Sequence, residues 1–233
     1  MIDMHSHILP GIDDGAENVK EALTMLEDAY KKGCSTVVAT PHLRAYSEEE
    51  IEEALKMRDM AYENLMSEAK KGEAVIPEIK LGFEVLLDKE ITVFPAFRKL
   101  CIEGTNAMLV EMPMHHWDAF ALSRIDNLKK EGILPIIAHL DRYIVFKKNL
   151  ERVLSMEGVI YQFNAEAFLG RHRLNLIKKT LKMGKTVVAG SDMHHSTGVR
   201  RSRLYEAYRK MIGKRKDYEA VFEGNAHRIL FNK

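Results

Sequence analysis

Six short apolar runs in this chain each deliver a histidine or a carboxylate at or near their end, and that placement limits the folds open to it. Met1 to Met4 leads into His5 and His7, and VVATPH into His42. LGFE reaches Glu84, MLVE reaches Glu111, IIAH reaches His139, and VVAGSDMH reaches Asp192 and His194. Longer amphipathic segments separate these runs. Val19, Ala22, Leu23, Leu26, Ala29 and Tyr30 recur at helical spacing across Asn18 to Lys32, with Gly33 suited to a left-handed stop. Ser47 to Ala69 predicts a second helix with Ser47 as its cap. Further helices are predicted over Ala119 to Lys130, near Lys148 to Met156 and over Leu174 to Lys182, with more helix at the end of the chain. Strands are predicted at Met1 to Met4, Cys34 to Thr40, IPEIKLGFEVLL, NAMLVEM, LPIIAHL, VIYQFN and TVVAG.

Strands alternating with helices pair in parallel through right-handed crossovers. No linker rich in Gly, Pro or Ser interrupts the series, and there is no internal repeat or low-complexity tract. The expectation is an α/β protein forming a single domain over residues 1–233, a closed or nearly closed (β/α) barrel. In such barrels the loops after the strands converge on one mouth, where the chemistry sits. Ionisable residues at strand ends are then gathered at one place.

Composition removes several functional classes. Lys+Arg number 35 against 34 Asp+Glu, so bulk charge provides no pull toward nucleic acid or membrane. Cys34 and Cys101 are the only cysteines and lack a paired spacing, which excludes a disulfide framework and a thiolate zinc site. No basic leader with an apolar core opens the sequence, and no apolar stretch approaches membrane-spanning length. A cytoplasmic protein without membrane insertion is expected.

In extended chain, residues i and i+2 point to one side, so the imidazoles of His5 and His7 can reach one ion. Burying Glu84, Glu111 and Asp192 without compensation would cost several kcal/mol each, and no matching set of strand-end lysines exists to pair with them. Metal ions are the natural counter-charge. Histidine and carboxylate without thiolate suit zinc, manganese or iron rather than copper(I) or calcium. Nine candidate ligands, His5, His7, Asp14, His42, Glu84, Glu111, His139, Asp192 and His194, are too many for one ion and serve two or three. A cluster of that kind points to hydrolysis, since bound ions acidify water and clamp attacking and leaving oxygens. Arg142, three residues after His139, and Arg200 and Arg201, after His194, are placed to hold a phosphoryl group.

HSH at the start, TPH at 40–42, FE at 83–84, AHLDRY at 138–143 and GSDMH at 190–194 resemble the PHP (polymerase and histidinol phosphatase) superfamily. Within it, MIDMHSHILPGIDDGA, VVATPHL, VEMP, IAHLDRY and NAHRIL are similar to bacterial tyrosine phosphatases of the CpsB/YwqE type, in register from residue 1 to about 232. The resemblance implies a distorted (β/α)7 TIM-like barrel with a trinuclear site, most often manganese-activated, iron and zinc being the alternatives. It implies that His5, His7, Glu84 and Asp192 hold one ion. Glu84 would bridge to a second ion bound also by Glu111 and His139, and Asp14, His42 and His194 would complete a third. Arg142 matches the family's phosphate-binding arginine. The second family arginine falls five residues after the final histidine, where this chain has Val199, so a one-residue insertion in STGVRR shifts the role to Arg200, with Arg201 as substitute.

The implied reaction is hydrolysis of a phosphotyrosine monoester by a metal-activated hydroxide, with Arg142 and Arg200 gripping the phosphate and His42 assisting the leaving oxygen. The implied partner is a phosphotyrosine protein, the C-terminal tail of a bacterial tyrosine kinase of capsular or exopolysaccharide biosynthesis, with no nucleic-acid partner. Two rivals stand beside it: a phosphatase for a small molecule such as histidinol phosphate or a nucleotide, and an inactive metal-bound module that binds phosphotyrosine. Neither cysteine has arginine six positions on, which argues against thiol catalysis.

Met114, His115, His116 and Trp117 follow Glu111 closely enough to line the opening, Trp117 as a stacking group, the other reading being a surface loop that Trp117 anchors. Asp13 reads as a turn-former beside the ligand Asp14. His172, His195 and His227 read as ordinary, and Tyr143 as packing. The charged runs SEEEIEEALKMRD and IGKRKDYE read as solvated helix faces, with contact to a second copy of the chain as the other reading.

Overall fold

The computed structural model describes residues 1–114, 117, 120–214 and 216–231. Strand β1 (Ile2–Ser6) pairs in parallel with β2 (Thr36–Ala39), which pairs with β4 (Glu78–Leu81). The short β3 (His42–Leu43) continues the path of β2, and β5 (Glu84–Leu86) continues that of β4. From β3 and β5 the sheet runs on through β6 (Ala107–Glu111), β7 (Leu134–Ile137), β8 (Ile160–Asn164) and β9 (Val187–Gly190), every pairing parallel. Beyond β9 the chain returns to β1. Ser6 bridges Met193, the His7 N–H donates to the Met193 carbonyl at 2.9 Å, and the Asp192 N–H donates to the His5 carbonyl at 2.8 Å. Counting β2 with β3 and β4 with β5, seven strand units among the described residues follow one another around a ring.

The helices form where the apolar spacing placed them. Helix α1 (Val19–Lys31) starts behind Asn18, whose side chain accepts the Glu21 N–H, and buries Ala22, Met25, Leu26 and Ala29. In α2 (Glu48–Lys71) Ser47 accepts the Glu50 N–H, and three glutamates in the first turn favour the positive end of the helix dipole. Helices α3 (Ala121–Lys130), α4 (Lys147–Leu154), α5 (Ala165–Leu169) and α6 (Arg171–Lys182) alternate with the later strands, and α7 (Leu204–Met211), α8 (Lys216–Glu219) and α9 (Asn225–Phe231) follow β9. No described helix is long and apolar enough to cross a membrane.

One apolar cluster, with Ile2, Met4, Val38, Leu109, Ile136, Ile160 and Val188, fills the ring, and Ala226 and Leu230 of α9 pack into it. Two further clusters lie between strands and helices. Leu109 is completely buried, and truncating it to alanine would cost about 2–5 kcal/mol.

Two boundaries differ from the sequence reading in ways that matter for the site. Strand β1 extends to Ser6, so His5 lies within it. A β-bulge adds one residue between Asp3 and Ser6 against Val37 and Ala39. That slip lets Ile2 and Met4 and then His5 and His7 face the same side. IPEIKLGFEVLL is two strands, interrupted at Gly82 and Phe83. There the Gly82 N–H bonds the Ala39 carbonyl and the Glu84 N–H bonds that of Pro41, which sets Glu84 opposite His42. The helix predicted from Ala119 is described from Ala121, Ala119 lying outside the described residues.

Candidate metal centre

Above the apolar layer the ring interior becomes ionisable. His5, His7, Glu84 and His139 are completely buried or nearly so. The Nε2 atoms of His5 and His7 lie 3.1 Å apart. His5 Nε2 stands 3.2 Å from Glu84 Oε2 and 3.6 Å from Asp192 Oδ1; for His7 Nε2 the distances are 3.4 and 3.5 Å. Glu84 Oε1 meets His139 Nε2 at 2.8 Å, and His139 Nε2 is 3.4 Å from Glu111 Oε1. Asp14 Oδ1 lies 3.4 Å from His42 Nε2 and 3.3 Å from His194 Nε2.

The structure thus brings all nine sequence-predicted ligands into one continuous cluster, in which the groups close enough to share an ion are His7, Asp14, His42 and His194; His5, His7 and Glu84; and His42, Glu84 and Glu111. Two contacts here lie outside the sets expected. His42 Nδ1 reaches Glu84 Oε2 at 2.9 Å, and His7 joins Asp14, His42 and His194, its ring stacked on that of His194 at 3.9 Å between centroids. Glu84 and His7 are therefore junctions between the groups.

The donor set suits divalent cations. Glu84 Oε2, Asp192 Oδ1 and His194 Nε2 are buried, make only ring-nitrogen or carboxylate approaches within the cluster, and have no well-aligned hydrogen bond among the described residues. Buried carboxylate oxygens left that way are costly unless a cation completes them. Burial alone would raise the Glu84 carboxyl, but His5, His139 and His42 hold it well below its usual range. Asp192 is likewise held down against burial by His5, His7 and Arg142. Burial works against the charge on His139, yet Glu111 and Glu84 push it up to about 9. Burial and the neighbouring His7 take His194 down to about 4. His139 and Asp192 also have positive φ, 30° and 52°, a region that costs about 1–3 kcal/mol for residues other than glycine and is kept where surroundings enforce it.

Asp13 is more than a turn-former. Its Oδ1 accepts the Gly15 N–H at 2.9 Å, as an Asx turn would, but its Oδ2 accepts from His7 Nδ1 at 2.7 Å and from the His42 N–H at 3.0 Å. Burial would raise it, and the His7 contact leads in lowering it to about 2. The carboxylate fixes the proton on His7 Nδ1 and leaves Nε2 facing the cluster. Gln162 and Asn164 escaped the sequence reading altogether. Their one signal was two amides alternating in the otherwise apolar strand VIYQFN.

Arg142 donates to Asp192 Oδ2, and Arg200 donates to Asp14 Oδ2 at 2.7 Å, so each touches a candidate ligand. Arg201 is turned onto Glu206 at 2.7 Å. A cavity of about 180 Å³ opens between these arginines, lined also by Asp141, Asn164, Arg173 and Asp192. It reaches the cluster at Asp192, and Arg200 rather than Arg201 addresses a ligand carboxylate there.

Trp117 does not face the opening. It is buried, donates from Nε1 to the Pro113 carbonyl and packs edge-on against Tyr143. Tyr143 is packing, as expected, its hydroxyl bound to the backbone of Met112. His115 and His116 lie outside the described residues. Cys34 and Cys101 are buried, which pushes their thiols up to about 12 and about 11, far from a nucleophilic thiolate.

Residues 1–231 match the family model described as capsular polysaccharide synthesis, CpsB/CapC. Tyrosine-protein phosphatase CpsB of Streptococcus pneumoniae is 26% identical over 248 aligned positions, covering 100% of this chain and 99% of that one. Tyrosine-protein phosphatase YwqE of Bacillus subtilis is 30% identical over 152 positions, 64% of this chain and 58% of that one. Among solved structures, one from work on YwqE of Bacillus subtilis and CpsB of Streptococcus pneumoniae, described as unique metal-dependent tyrosine phosphatases, superposes with a TM-score of 0.81 at 24% identity. It covers 100% of this chain and 95% of that one, and carries the fold comparison.

Proposed function

This chain belongs to the CpsB/CapC family of capsular polysaccharide synthesis, and from that premise we propose that it is a metal-dependent protein-tyrosine phosphatase acting on a phosphotyrosine protein. The observation that carries the reading is the convergence of His5 Nε2, His7 Nε2, Glu84 Oε2 and Asp192 Oδ1, with both carboxylate oxygens buried, beside two arginines that reach ligand carboxylates. His5, His7, Glu84 and Asp192 would hold one divalent ion; Glu84, Glu111 and His139 a second; Asp14, His42 and His194 a third. Manganese is the ion this reading favours.

When bound, such ions neutralise the phosphoryl charge and supply an acidified water as nucleophile. The chain's own residues do the rest. Arg142 and Arg200, half-exposed at the cavity, leave their carboxylate partners for the substrate's phosphoryl oxygens, to which a guanidinium offers paired N–H donors. His42 is the one cluster histidine open to solvent, its side chain 40% exposed, and stands where it can hold a proton near the leaving phenolate oxygen. Buried thiols take no part. A cytoplasmic location and the tail of a tyrosine kinase of capsule synthesis as substrate complete the reading.

The test is a substrate panel on the manganese-loaded protein: phosphotyrosine peptide, phosphoserine peptide, histidinol phosphate and single-stranded DNA. Preference for phosphotyrosine peptide is expected. Preference for histidinol phosphate would overturn the substrate assignment and leave the metal chemistry standing. Binding of phosphotyrosine peptide without phosphate release would favour a non-catalytic module.

A further inference from the structure

Strand β8 offers no histidine and no carboxylate to the cluster, yet it ends among the ligands. Its two inward polar residues, Gln162 and Asn164, are buried and form a continuous hydrogen-bond chain. The Gln162 side-chain oxygen accepts the backbone N–H of His139 at 2.5 Å and lies 3.1 Å from His5 Nδ1. The Gln162 amide nitrogen donates to Asn164 Oδ1 at 3.0 Å, and Asn164 Nδ2 donates to Asp192 Oδ2 at 2.7 Å.

The polarity of this chain follows from a single group. A backbone N–H can only donate, so the Gln162 atom facing His139 must be the oxygen. That oxygen has no proton to give, so His5 Nδ1 must carry one and donate it. In a ring that binds a metal, His5 Nε2 is then the lone-pair nitrogen, and it faces Glu84 Oε2 and Asp192 Oδ1. The other end is set in the same way. Gln162 presents NH2 to Asn164, so Asn164 accepts there and turns its own NH2 to Asp192 Oδ2. Asp192 Oδ1, without a well-aligned hydrogen bond among the described residues, is left pointing at the histidines.

We propose that Gln162 and Asn164 are the positioning residues of the metal centre. Together they set the His5 tautomer, hold His139 in its left-handed backbone conformation, and free one oxygen of Asp192. The proposal rests on the reading of His5, His139 and Asp192 as ion ligands. Partners behind metal ligands fix ring orientation and raise ligand basicity, and their loss typically costs about 10–100-fold in affinity. Gly190 belongs to the same device. A Cβ there would lie 2.7 Å from His5 Cβ and 2.8 Å from Gln162 Nε2, so the relay has room only beside glycine.

The test uses full-length protein and divalent metal alone. Metal-stripped wild type, Gln162→Leu, Gln162→Glu and Asn164→Leu are titrated with Mn²⁺, and long-range ¹H–¹⁵N spectra of the Zn²⁺-loaded protein report which His5 nitrogen bears the proton. Wild type is expected to show Nδ1–H on His5. Gln162→Leu should lose about 10–100-fold in Mn²⁺ affinity. Gln162→Glu keeps the acceptor for His5 and His139 but offers no NH2 to Asn164, so it should keep the His5 tautomer while losing affinity as Asn164→Leu does. Asn164→Leu should lose affinity while keeping the His5 tautomer. A scaffolding role alone would lower thermal stability in the leucine and glutamate variants alike, with the His5 tautomer no different in Gln162→Leu from Gln162→Glu. Equal Mn²⁺ affinity in wild type and Gln162→Leu, or a proton on Nε2 in wild type, would overturn the relay. Absence of Mn²⁺ binding by wild type would instead overturn the metal reading beneath it. Should Gln162→Leu fail to fold, the His5 tautomers of Gln162→Glu and wild type still decide.

Discussion

Replacing Asp13 by asparagine changes one atom and should weaken metal binding. The carboxylate serves three donors: His7 Nδ1–H, the His42 N–H and the Gly15 N–H. Asparagine has the same shape but one acceptor oxygen. If that oxygen stays with His7 and His42, the NH2 group meets the Gly15 N–H; turned over, it meets the other two. At least one donor is left unmet at a side chain only 7% exposed, which costs about 1–3 kcal/mol. His7 also loses the anion that fixes its tautomer and raises its basicity. A loss of about 10–100-fold in affinity is expected, equivalent to about 1.4–2.7 kcal/mol. The assay is calorimetric titration of Mn²⁺ into metal-stripped Asp13→Asn and wild type, with phosphate release followed at low and saturating Mn²⁺. Since Asp13 acts through His7, saturating metal should restore most of the turnover. An Mn²⁺ isotherm identical to wild type would refute this role, as would a turnover defect that saturating metal leaves in place.

Three other outcomes are expected. Arg200→Ala should lower kcat/KM by more than about tenfold, the scale of a charge-assisted contact to phosphate, whereas Arg201→Ala should change it by less than about threefold because Arg201 is engaged by Glu206. Gly190→Ala forces a Cβ against His5 and Gln162, so it should cost about 1–3 kcal/mol, or roughly 2–10 °C in Tm, and lower Mn²⁺ affinity as well. With respect to pH, His139 is raised to about 9 in the metal-free protein, despite burial, by Glu111 and Glu84. Its contribution to stability of the metal-free form is complete below about 6.5 and is lost as pH rises through about 9. Metal must displace that proton, so apparent Mn²⁺ affinity should increase between pH 7 and 9 with proton release in calorimetry; a flat profile would contradict it.

Sequence order carried much of this architecture because its signals are local. The caps Asn18 and Ser47 sit next to the helices they start, and helical spacing marks the buried faces of α1 and α2. Apart from Asp14, the ligand candidates were legible because each lies at or near the end of an apolar run, where a barrel gathers them. Partners of those ligands were not. Gln162 lies 157 residues from His5, and nothing near either residue announces the contact. Asp13 illustrates the middle case, since its Asx turn with Gly15 is local, but its bond to the His42 N–H spans 29 residues and exists only once β3 is in place. Trp117 went wrong for a related reason. A tryptophan after a ligand strand suits an opening or a core equally, and the Tyr143 ring it packs against comes from a distant part of the sequence. The break at Gly82 was hidden because apolar periodicity runs unbroken through LGFEVLL.

That His5, His7, Glu84, Asp192 and their neighbours hold divalent ions on which phosphotyrosine hydrolysis depends is our proposal. It is tested most directly by measuring phosphate release from a phosphotyrosine peptide by metal-stripped protein as Mn²⁺ is returned. No release before addition and full recovery on loading are predicted. Sustained release in excess chelator would contradict the account.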